Sequence, residues 1–119
     1  MARAVFLDRD TLDRGDLDFR ALDSLCPDWR SHGRTSPDRR VAHIDDAEIV
    51  ITNKVVMDAA TLAACPAVGL INVVATGVDN IDVEAARARG ITVSHCRGYG
   101  TEAVSQHAIG LMLALCTRL

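Results

Sequence analysis

Thr76, Gly77 and Val78 form the stretch of this sequence whose residue types are best suited to bind a small ligand. They follow residues 70–74, a short apolar run rich in β-branched residues with the length of a buried strand. In open α/β sheets, ligands gather at the carboxyl ends of the strands. Because small residues leave the backbone uncovered, its N–H groups can donate hydrogen bonds to an anion such as a carboxylate. The alternative is that Gly77 only permits a turn with a positive φ angle.

The residues after this loop predict a helix and a further strand. Asp82 stands at the N-cap position, Glu84 lies in the first turn, and Gly90 ends the helix in a left-handed conformation. Residues 91–95 then form the next strand. Strand, loop, helix and strand make one βαβ unit with a right-handed crossover, so the small-residue loop lies at the carboxyl edge of a parallel sheet.

Elements of the same kind alternate along the rest of the chain, which contains no repeats. This alternation predicts an α/β fold in which helices cover both faces of a doubly wound parallel sheet. The predicted strands are residues 4–7, 48–52, 70–74 and 91–95, with a short edge strand within 29–35. The predicted helices are residues 16–26, 37–43, 57–65, 83–89 and 101–116, with Ser36 capping the second and Thr101 the last.

A second group of candidate residues follows the first strand. Asp8, Asp10 and Thr11 resemble the D-x-D-x-T motif, in which the aspartate after a strand takes a phosphoryl group, although the threonine stands one position too early. The partner motifs of that class of phosphatase do not occur in the sequence. Phosphoryl transfer is therefore a minor alternative for this chain.

Composition and charge argue against several classes of protein. The chain of 119 residues has a formal net charge of -3, whereas a surface that binds nucleic acid would be basic. The first residues lack the apolar core of a signal peptide and no run reaches membrane-spanning length, so we expect a cytoplasmic protein. The wide spacing of the cysteines predicts reduced, mostly buried thiols and no metal site at Cys26, Cys65, Cys96 and Cys116.

Three segments carry a more specific pattern: ATGVDNID at residues 75–82, EAARARGITV at 84–93 and YGTEAVSQHAIGLMLAL at 99–115. Together they resemble the D-2-hydroxyacid dehydrogenase family, above all its glycerate dehydrogenase and hydroxypyruvate reductase branch. The resemblance extends from about Ala47 to Leu119 and, more weakly, through the N-terminal half. It implies reversible hydride transfer between NADH or NADPH and the C2 atom of a small 2-oxo acid, such as hydroxypyruvate or glyoxylate.

The resemblance also implies roles for individual residues. In the family, the backbone that matches residues 76–78 contacts the substrate carboxylate, and the position of Thr76 also lies near the nicotinamide. Lys54 belongs to an Asn-Lys pair common in this branch and would attract the anionic substrate; a solvent-exposed lysine is the alternative. Thr101 and Val104 would approach the nicotinamide from the side of the nucleotide-binding domain. The alternatives are a helix cap for Thr101 and a core valine for Val104.

The family's catalytic arginine, glutamate and histidine lie beyond the position of Leu119, so we assign no catalytic residue here. Arg97, Glu102 and His107 have these residue types in the same order. However, Glu102 and His107 are five positions apart on one predicted helix, so their side chains point about 140° apart and cannot face one site. Glu102 is better explained as a first-turn charge, and His107 as a partly buried helix residue. The G-x-G-x-x-G phosphate loop is also absent from these residues.

The resemblance implies two structural parts. Residues 1–98 would form a flavodoxin-like substrate-binding domain, and residues 99–119 the hinge and first helix of a Rossmann nucleotide-binding domain that is otherwise absent. That helix is apolar around most of its surface, which predicts burial between layers. We expect a homodimer for the complete enzyme, and an inactive, self-associating chain for these 119 residues. The alternatives are a non-enzymatic module that binds a small acid or senses a nucleotide, and a truncated inactive product.

Overall fold

The apolar runs of the sequence form a single parallel sheet in the computed structural model, which describes residues 2–119. The strands within this range are β1 (Ala4–Phe6), β2 (Trp29–Ser31), β3 (Ile49–Thr52), β4 (Leu70–Val73) and β5 (Thr92–His95). They pair in parallel in the order β2-β1-β3-β4-β5. This is the strand order of flavodoxin-like doubly wound sheets, so the predicted fold class is confirmed.

Helices follow every strand in the chain. Two short 3-10 turns, Arg9–Thr11 and Pro37–Arg39, stand beside the α-helices. Within residues 2–119 the α-helices are α1 (Arg20–Leu25), α2 (Arg40–Ile44), α3 (Ala59–Ala64), α4 (Val83–Ala88) and α5 (Thr101–Thr117).

Different helices cover the two faces of the sheet. On one face Val5 belongs to the main core, which includes residues of α2, α3 and α4, namely Ile44, Leu62 and Ala86. On the other face the ring of Phe6 lies edge-on to that of Phe19, directly before α1, with 6.3 Å between the ring centroids. Helix α1 therefore packs opposite α2, α3 and α4, as right-handed crossovers in this strand order require.

Helix α1 is shorter than the predicted range of residues 16–26 and begins only at Arg20. The Asp13 carboxylate accepts hydrogen bonds from the backbone N–H groups of Gly15, Asp16 and Leu17, at 2.8, 3.2 and 3.1 Å. A side chain that binds its own following backbone competes with helical hydrogen bonding. The segment before α1 is consequently a turn. Strand β2 is also shorter than predicted and ends at Ser31, because β1 offers it only three residues to pair with.

Aspartates begin two of the short helices. Asp58 accepts a hydrogen bond from the Thr61 N–H at 2.8 Å, and Asp82 accepts one from the Ala85 N–H at 2.9 Å. The Thr61 hydroxyl and N–H groups lower the pKa of the Asp58 carboxyl. The predicted cap at Asp82 is confirmed, as is the left-handed Gly90, whose φ is 72°.

Of two other predicted caps, Ser36 does occupy the N-cap position before Pro37, whereas Thr101 is not an N-cap. Ser36 precedes a 3-10 turn and makes no capping hydrogen bond with its side chain, since no α-helical first turn follows it. The N-cap of α5 is Gly100, because the chain turns into the helix directly after Gly98, which has a φ of 70°. Thr101 is the first residue inside α5, and the helix start carries no side-chain cap.

Helix α5 extends away from the sheet. None of its residues is buried by the rest of residues 2–119. The Cα radius of gyration is 17.2 Å, compared with about 13.5 Å for a compact domain of this length. The predicted burial of α5 between layers is not seen within residues 2–119, because no part of the described chain covers the helix. Its exposed apolar side chains are Val104, Ile109, Leu111, Met112, Leu113 and Leu115.

The cysteines are free thiols, but the prediction that most are buried is only half correct. Cys26 and Cys65 are buried, whereas Cys96 and Cys116 are exposed because no layer covers the chain after β5. Burial raises the pKa of the Cys65 thiol. Within residues 2–119, no group of histidine, cysteine or acidic side chains has the geometry to hold a metal ion. No helix in the same range is long and apolar enough to cross a membrane.

Candidate functional site

The loop after β4 carries the predicted anion-binding stretch at the carboxyl edge of the sheet. Thr76 and Gly77 are exposed, whereas Val78 is half-buried and packs against the main core. Within residues 2–119, the backbone N–H groups of these three residues donate no hydrogen bond. Three consecutive peptide donors are therefore available to a ligand.

Gly77 does not adopt the positive φ that would explain a glycine by turn geometry alone; the described glycines with positive φ are elsewhere, at Gly15, Gly90 and Gly98. A Cβ atom built on Gly77 would lie 3.7 Å from Oδ2 of Asp79, which is an ordinary contact. The turn alternative is therefore wrong. What glycine provides at this position is a peptide that no side chain covers.

The side chain of His95, at the end of β5, binds the Thr76 carbonyl group and is itself bound by Arg97. Arg97 Nε donates a hydrogen bond to Nε2 of His95 at 3.3 Å, which assigns the ring proton of His95 to Nδ1. Nδ1 then donates to the Thr76 carbonyl oxygen at 2.6 Å. The neighbouring Cys96 N–H donates to the Ala75 carbonyl at 3.0 Å. These bonds hold the carbonyl groups of the loop and leave its N–H groups open.

The structure brings Lys54 and Gly77 together in one cleft of about 160 Å³. Lys54 is exposed at the end of β3, the strand beside β4. Asp79 adds a carboxylate to the same cleft, so the cleft contains one cation, one anion and, of residues 76–78, Gly77. The lining residues are Asn53, Lys54, Ala75, Gly77, Asp79 and Asn80.

Asn80 joins the loops after β3 and β4. Its side-chain Nδ2 donates to the Val55 carbonyl at 2.9 Å, and its own carbonyl accepts the Met57 N–H at 2.8 Å. Met57 and Ile81 also form an isolated parallel bridge. The two sides of the cleft consequently belong to one hydrogen-bonded unit.

A second cleft, of about 380 Å³, brings Thr76 together with Thr101 and Val104. Val104 is 69% exposed, so within residues 2–119 it is not a core valine, and Thr101 is not a helix cap. Neither structural alternative for these two residues describes the chain. The other residues that line this cleft are Gly98, Tyr99, Gly100 and Ser105.

Asp8 is only 3% exposed. The nucleophilic aspartate of a D-x-D-x-T phosphatase would have to be accessible to its substrate. The Oδ1 atom of Asp8 accepts hydrogen bonds from the Thr52 hydroxyl at 3.1 Å and the Asn53 N–H at 2.9 Å. Its Oδ2 accepts the Lys54 N–H at 2.6 Å. Both oxygens are occupied by the loop after β3, so Asp8 is not placed to attack a phosphoryl group.

Arg97, Glu102 and His107 do not converge. Glu102 and His107 are both exposed on α5, and Arg97 is bound to His95. The prediction that His107 is partly buried is wrong, because nothing in the described chain covers α5.

Comparison with known proteins identifies the family. The model of the D-isomer specific 2-hydroxyacid dehydrogenase catalytic domain matches residues 12–113, most of the chain. The chain belongs to this family. A hydroxypyruvate reductase of Blautia hydrogenotrophica is 37% identical over 116 residues, which are 96% of this chain and 36% of that protein. A glycerate dehydrogenase of Methylorubrum extorquens is 40% identical over 114 residues, 95% of this chain and 35% of that protein.

The chain spans about a third of the length of these curated relatives. A solved structure of an acyclic imino acid reductase in complex with NADPH and D-Arg superposes with a TM-score of 0.80. The two sequences are 17% identical, and the superposition covers 94% of this chain and 36% of the reductase chain. At 17% identity the likeness shows a shared fold alone. The names of the two curated relatives, a hydroxypyruvate reductase and a glycerate dehydrogenase, are those of the branch that the sequence resembles.

Sequence reasoning missed Asp79, Asn80 and His95, all of which line or support the site. Asn80 and Asp79 stand inside the ATGVDNID segment, so their position beside Gly77 was a usable signal. The contact of His95 with Thr76 spans 19 residues and follows only from the pairing of β4 with β5.

Proposed function

We propose that this chain is the acid-binding portion of an NAD(P)-dependent D-2-hydroxyacid dehydrogenase that acts on a small 2-oxo acid such as hydroxypyruvate or glyoxylate. The observation that carries the proposal is the row of three unpaired N–H groups at residues 76–78, of which Gly77 lines one cleft and Thr76 lines another. In this proposal residues 1–98 are the substrate-binding domain, and residues 99–119 are the hinge and first helix of the nucleotide-binding domain. No observation favours a non-enzymatic module, since the relatives described above are named as dehydrogenases or reductases.

The substrate side of the proposed site consists of Lys54, Thr76, Gly77 and Val78. The backbone donors bind the carboxylate, and the Lys54 ammonium raises the local concentration of anions. A hydrogen bond to a charged group is worth about 1.5–3 kcal/mol. The Asp79 carboxylate lines the same cleft and opposes this attraction.

The cofactor side consists of Thr76, Thr101 and Val104. When bound, NAD or NADP would supply the hydride. These residues fit only its nicotinamide end, because the exposed Val104 side chain offers an apolar surface and the hydroxyl groups of Thr76 and Thr101 can bind a carboxamide. The chain contains no G-x-G-x-x-G segment for the phosphates. We propose that other residues of the complete enzyme bind that part of the cofactor.

Proton transfer to the substrate needs an acid/base group, which no described residue of either cleft provides in a suitable arrangement. We therefore propose that the 119-residue chain alone is inactive. Consumption of NADH with glyoxylate or hydroxypyruvate should equal that of a sample without protein. A rate clearly above that background would contradict this part of the proposal.

The binding step can be tested on the chain itself with oxamate, a planar mimic of a 2-oxo acid that does not hydrate. We expect oxamate to shift the backbone amide resonances of residues 76–78. The Gly77→Val variant should bind at least about tenfold more weakly, because the isopropyl group covers the donors and one charged hydrogen bond is worth that factor or more. Equal affinity in a folded Gly77→Val variant would show that the loop is not the binding site.

Gly69→Val is the matched control for this experiment. Gly69 also lacks a positive φ, and a Cβ built on it meets only the Glu48 carbonyl oxygen, at 4.0 Å. It precedes β4, at the opposite edge of the sheet from the loop. We expect wild-type affinity for oxamate in this variant. The Asp79→Asn variant should bind a few times more tightly than wild type, since a like charge leaves the cleft.

The proposal includes self-association through α5, and a homodimer in the complete enzyme. Burying one large apolar side chain is worth roughly 1.5–3 kcal/mol, and α5 exposes six of them. The full chain should form larger species in light scattering, whereas a chain ending at Gly98 should do so much less. A monodisperse monomer for the full chain, with rapidly exchanging α5 amides, would contradict this prediction.

A further inference from the structure

Asp8 is a buried carboxylate to which the proposed reaction gives no role. It stands at the end of β1, where the order of the strands reverses between β1 and its neighbours β2 and β3. In sheets of this type, ligands bind outside the carboxyl ends of the strands at such a switch point. A charged group that is 97% shielded is costly unless it is fully hydrogen-bonded, so its partners indicate what it stabilises.

All partners of the Asp8 carboxylate belong to the end of β3 and the loop after it. They are the Thr52 hydroxyl and the N–H groups of Asn53 and Lys54. The Thr52 hydroxyl oxygen in turn accepts the Val55 N–H at 3.1 Å. The N–H groups of residues 53–55 are thus all bound, directly or through Thr52, to one side chain that lies 45 residues earlier than Asn53 in the chain.

A second connection runs parallel to the first. The Thr11 hydroxyl donates to the Asp8 carbonyl oxygen at 2.7 Å and accepts a hydrogen bond from Nδ2 of Asn53 at 2.9 Å. Asn53 is therefore fixed by its backbone through Asp8 and by its side chain through Thr11. Both connections end on the Asn-Lys pair that lines the cleft with Gly77.

The fixed backbone matters because Lys54 lines three clefts, one of them lined also by Arg40 and Asp58. The other two are the cleft with Gly77 and a cleft of about 340 Å³ near Asp10 and Arg34. We propose that Asp8, assisted by Thr11, is a positioning residue that holds the Asn53-Lys54 backbone so that the Lys54 ammonium acts on an acid bound at Gly77. This inference rests on the proposed function, which places the acid there.

A carboxylate suits this role better than its amide. Asp8 receives three donors, and an ionised carboxylate only accepts hydrogen bonds. In an Asp8→Asn variant, the side-chain NH₂ group would face at least one N–H or O–H donor. The loop would then lose a hydrogen bond to a charged group, while the size and shape of the side chain stay the same.

The test compares Asp8→Asn, Thr11→Val and Thr11→Ser in the full chain, with oxamate as the probe. Affinity is measured by titration, the thermal midpoint by calorimetry, and the exchange rates of the Asn53 and Lys54 amide protons by NMR. Thr11 is exposed, so its variants fold even if Asp8→Asn does not. Thr11→Ser keeps the hydroxyl group and is the conservative control.

We expect Asp8→Asn to weaken oxamate binding at least fivefold and to accelerate exchange of the two amide protons at least tenfold relative to Ile71 in the core. Thr11→Val should weaken binding two- to fivefold with an unchanged thermal midpoint, and Thr11→Ser should behave like wild type. Wild-type affinity in both Thr11→Val and a folded Asp8→Asn variant would overturn the positioning role. If the wild-type chain binds no oxamate, the proposed function is what fails, and the amide exchange rates alone then decide whether Asp8 positions the loop: unchanged rates overturn it.

Discussion

The loops after β3 and β4 lie side by side at the carboxyl edge of the sheet, yet their backbones are used in opposite ways. The N–H groups of residues 53–55 are all bound within the chain, to Asp8 or Thr52. The N–H groups of residues 76–78 donate to no group in the described part of the chain. The backbone of the first loop is held by internal hydrogen bonds, and this loop contributes the Lys54 side chain to the cleft with Gly77. The second loop contributes backbone N–H groups that no residue of the described chain accepts.

In the proposed function, this difference prepares an anion site without a helix N-terminus or a metal. Buried N–H groups must be paired, whereas N–H groups at an exposed loop can stay unpaired at little cost because water reaches them. The loop after β4 keeps its shape because His95 binds the Thr76 carbonyl group and because the loop's own Asn80 side chain donates to the Val55 carbonyl in the loop after β3. Its donors are thereby held in place before a ligand arrives.

The largest expected contrast between the two loops is in amide hydrogen exchange. The N–H groups of Asn53, Lys54 and Val55 should exchange about a hundredfold more slowly than those of Thr76 and Gly77, because they must break internal hydrogen bonds to open. NMR exchange rates on the full chain measure this directly. Similar rates for both sets would remove the basis of the comparison.

A pair of isosteric substitutions tests the same contrast energetically. Thr52→Val removes a buried hydroxyl and leaves the Val55 N–H and one Asp8 acceptor without it, so it should cost about 1–3 kcal/mol in the free energy of unfolding. Thr76→Val alters an exposed side chain and should cost less than about 0.5 kcal/mol. Denaturant titrations of both variants measure the two costs. Equal costs would contradict the comparison.

A smaller effect concerns Asp58, the N-cap of α3 at the far end of the loop after β3. Hydrogen bonds from Thr61 lower the pKa of this carboxyl in the folded chain, so its stabilising effect is complete above the unfolded pKa of roughly 4. That effect is lost as the pH falls through the lower, folded pKa. Asp58→Ala should therefore lower the thermal midpoint at neutral pH, and the difference from wild type should shrink in acid. A difference that grows as the pH falls would reverse the assigned sign.

The parts of the fold that follow local rules could be predicted from the sequence. The apolar runs gave β3, β4 and β5, the aspartate at position 82 caps α4, and Gly90 has the expected left-handed conformation. Local side-chain chemistry also caused errors that a periodicity argument overlooks. Asp13 binds the backbone that follows it, which delays the start of α1.

The site was predictable where one segment supplies it, and less so where distant segments meet. Thr76, Gly77 and Lys54 could be named because strand ends share one edge in a parallel sheet. The proposed role of Asp8 depends on contacts across 45 residues, and the sequence offered only a misleading resemblance to a phosphatase motif for it. The exposure of α5 depends on what covers it, which no pattern within the helix specifies.

The central claim is that this chain supplies the acid-binding part of a D-2-hydroxyacid dehydrogenase. It is tested most directly by a chimera in which this chain replaces the segment that it matches, 36% of the length, in the Blautia hydrogenotrophica hydroxypyruvate reductase. We expect the chimera to reduce hydroxypyruvate with a nicotinamide cofactor, and the same chimera with Gly77→Val to lose at least about tenfold in kcat/KM. A folded chimera that binds the cofactor but does not reduce the acid, or one that Gly77→Val leaves unchanged, would contradict the claim.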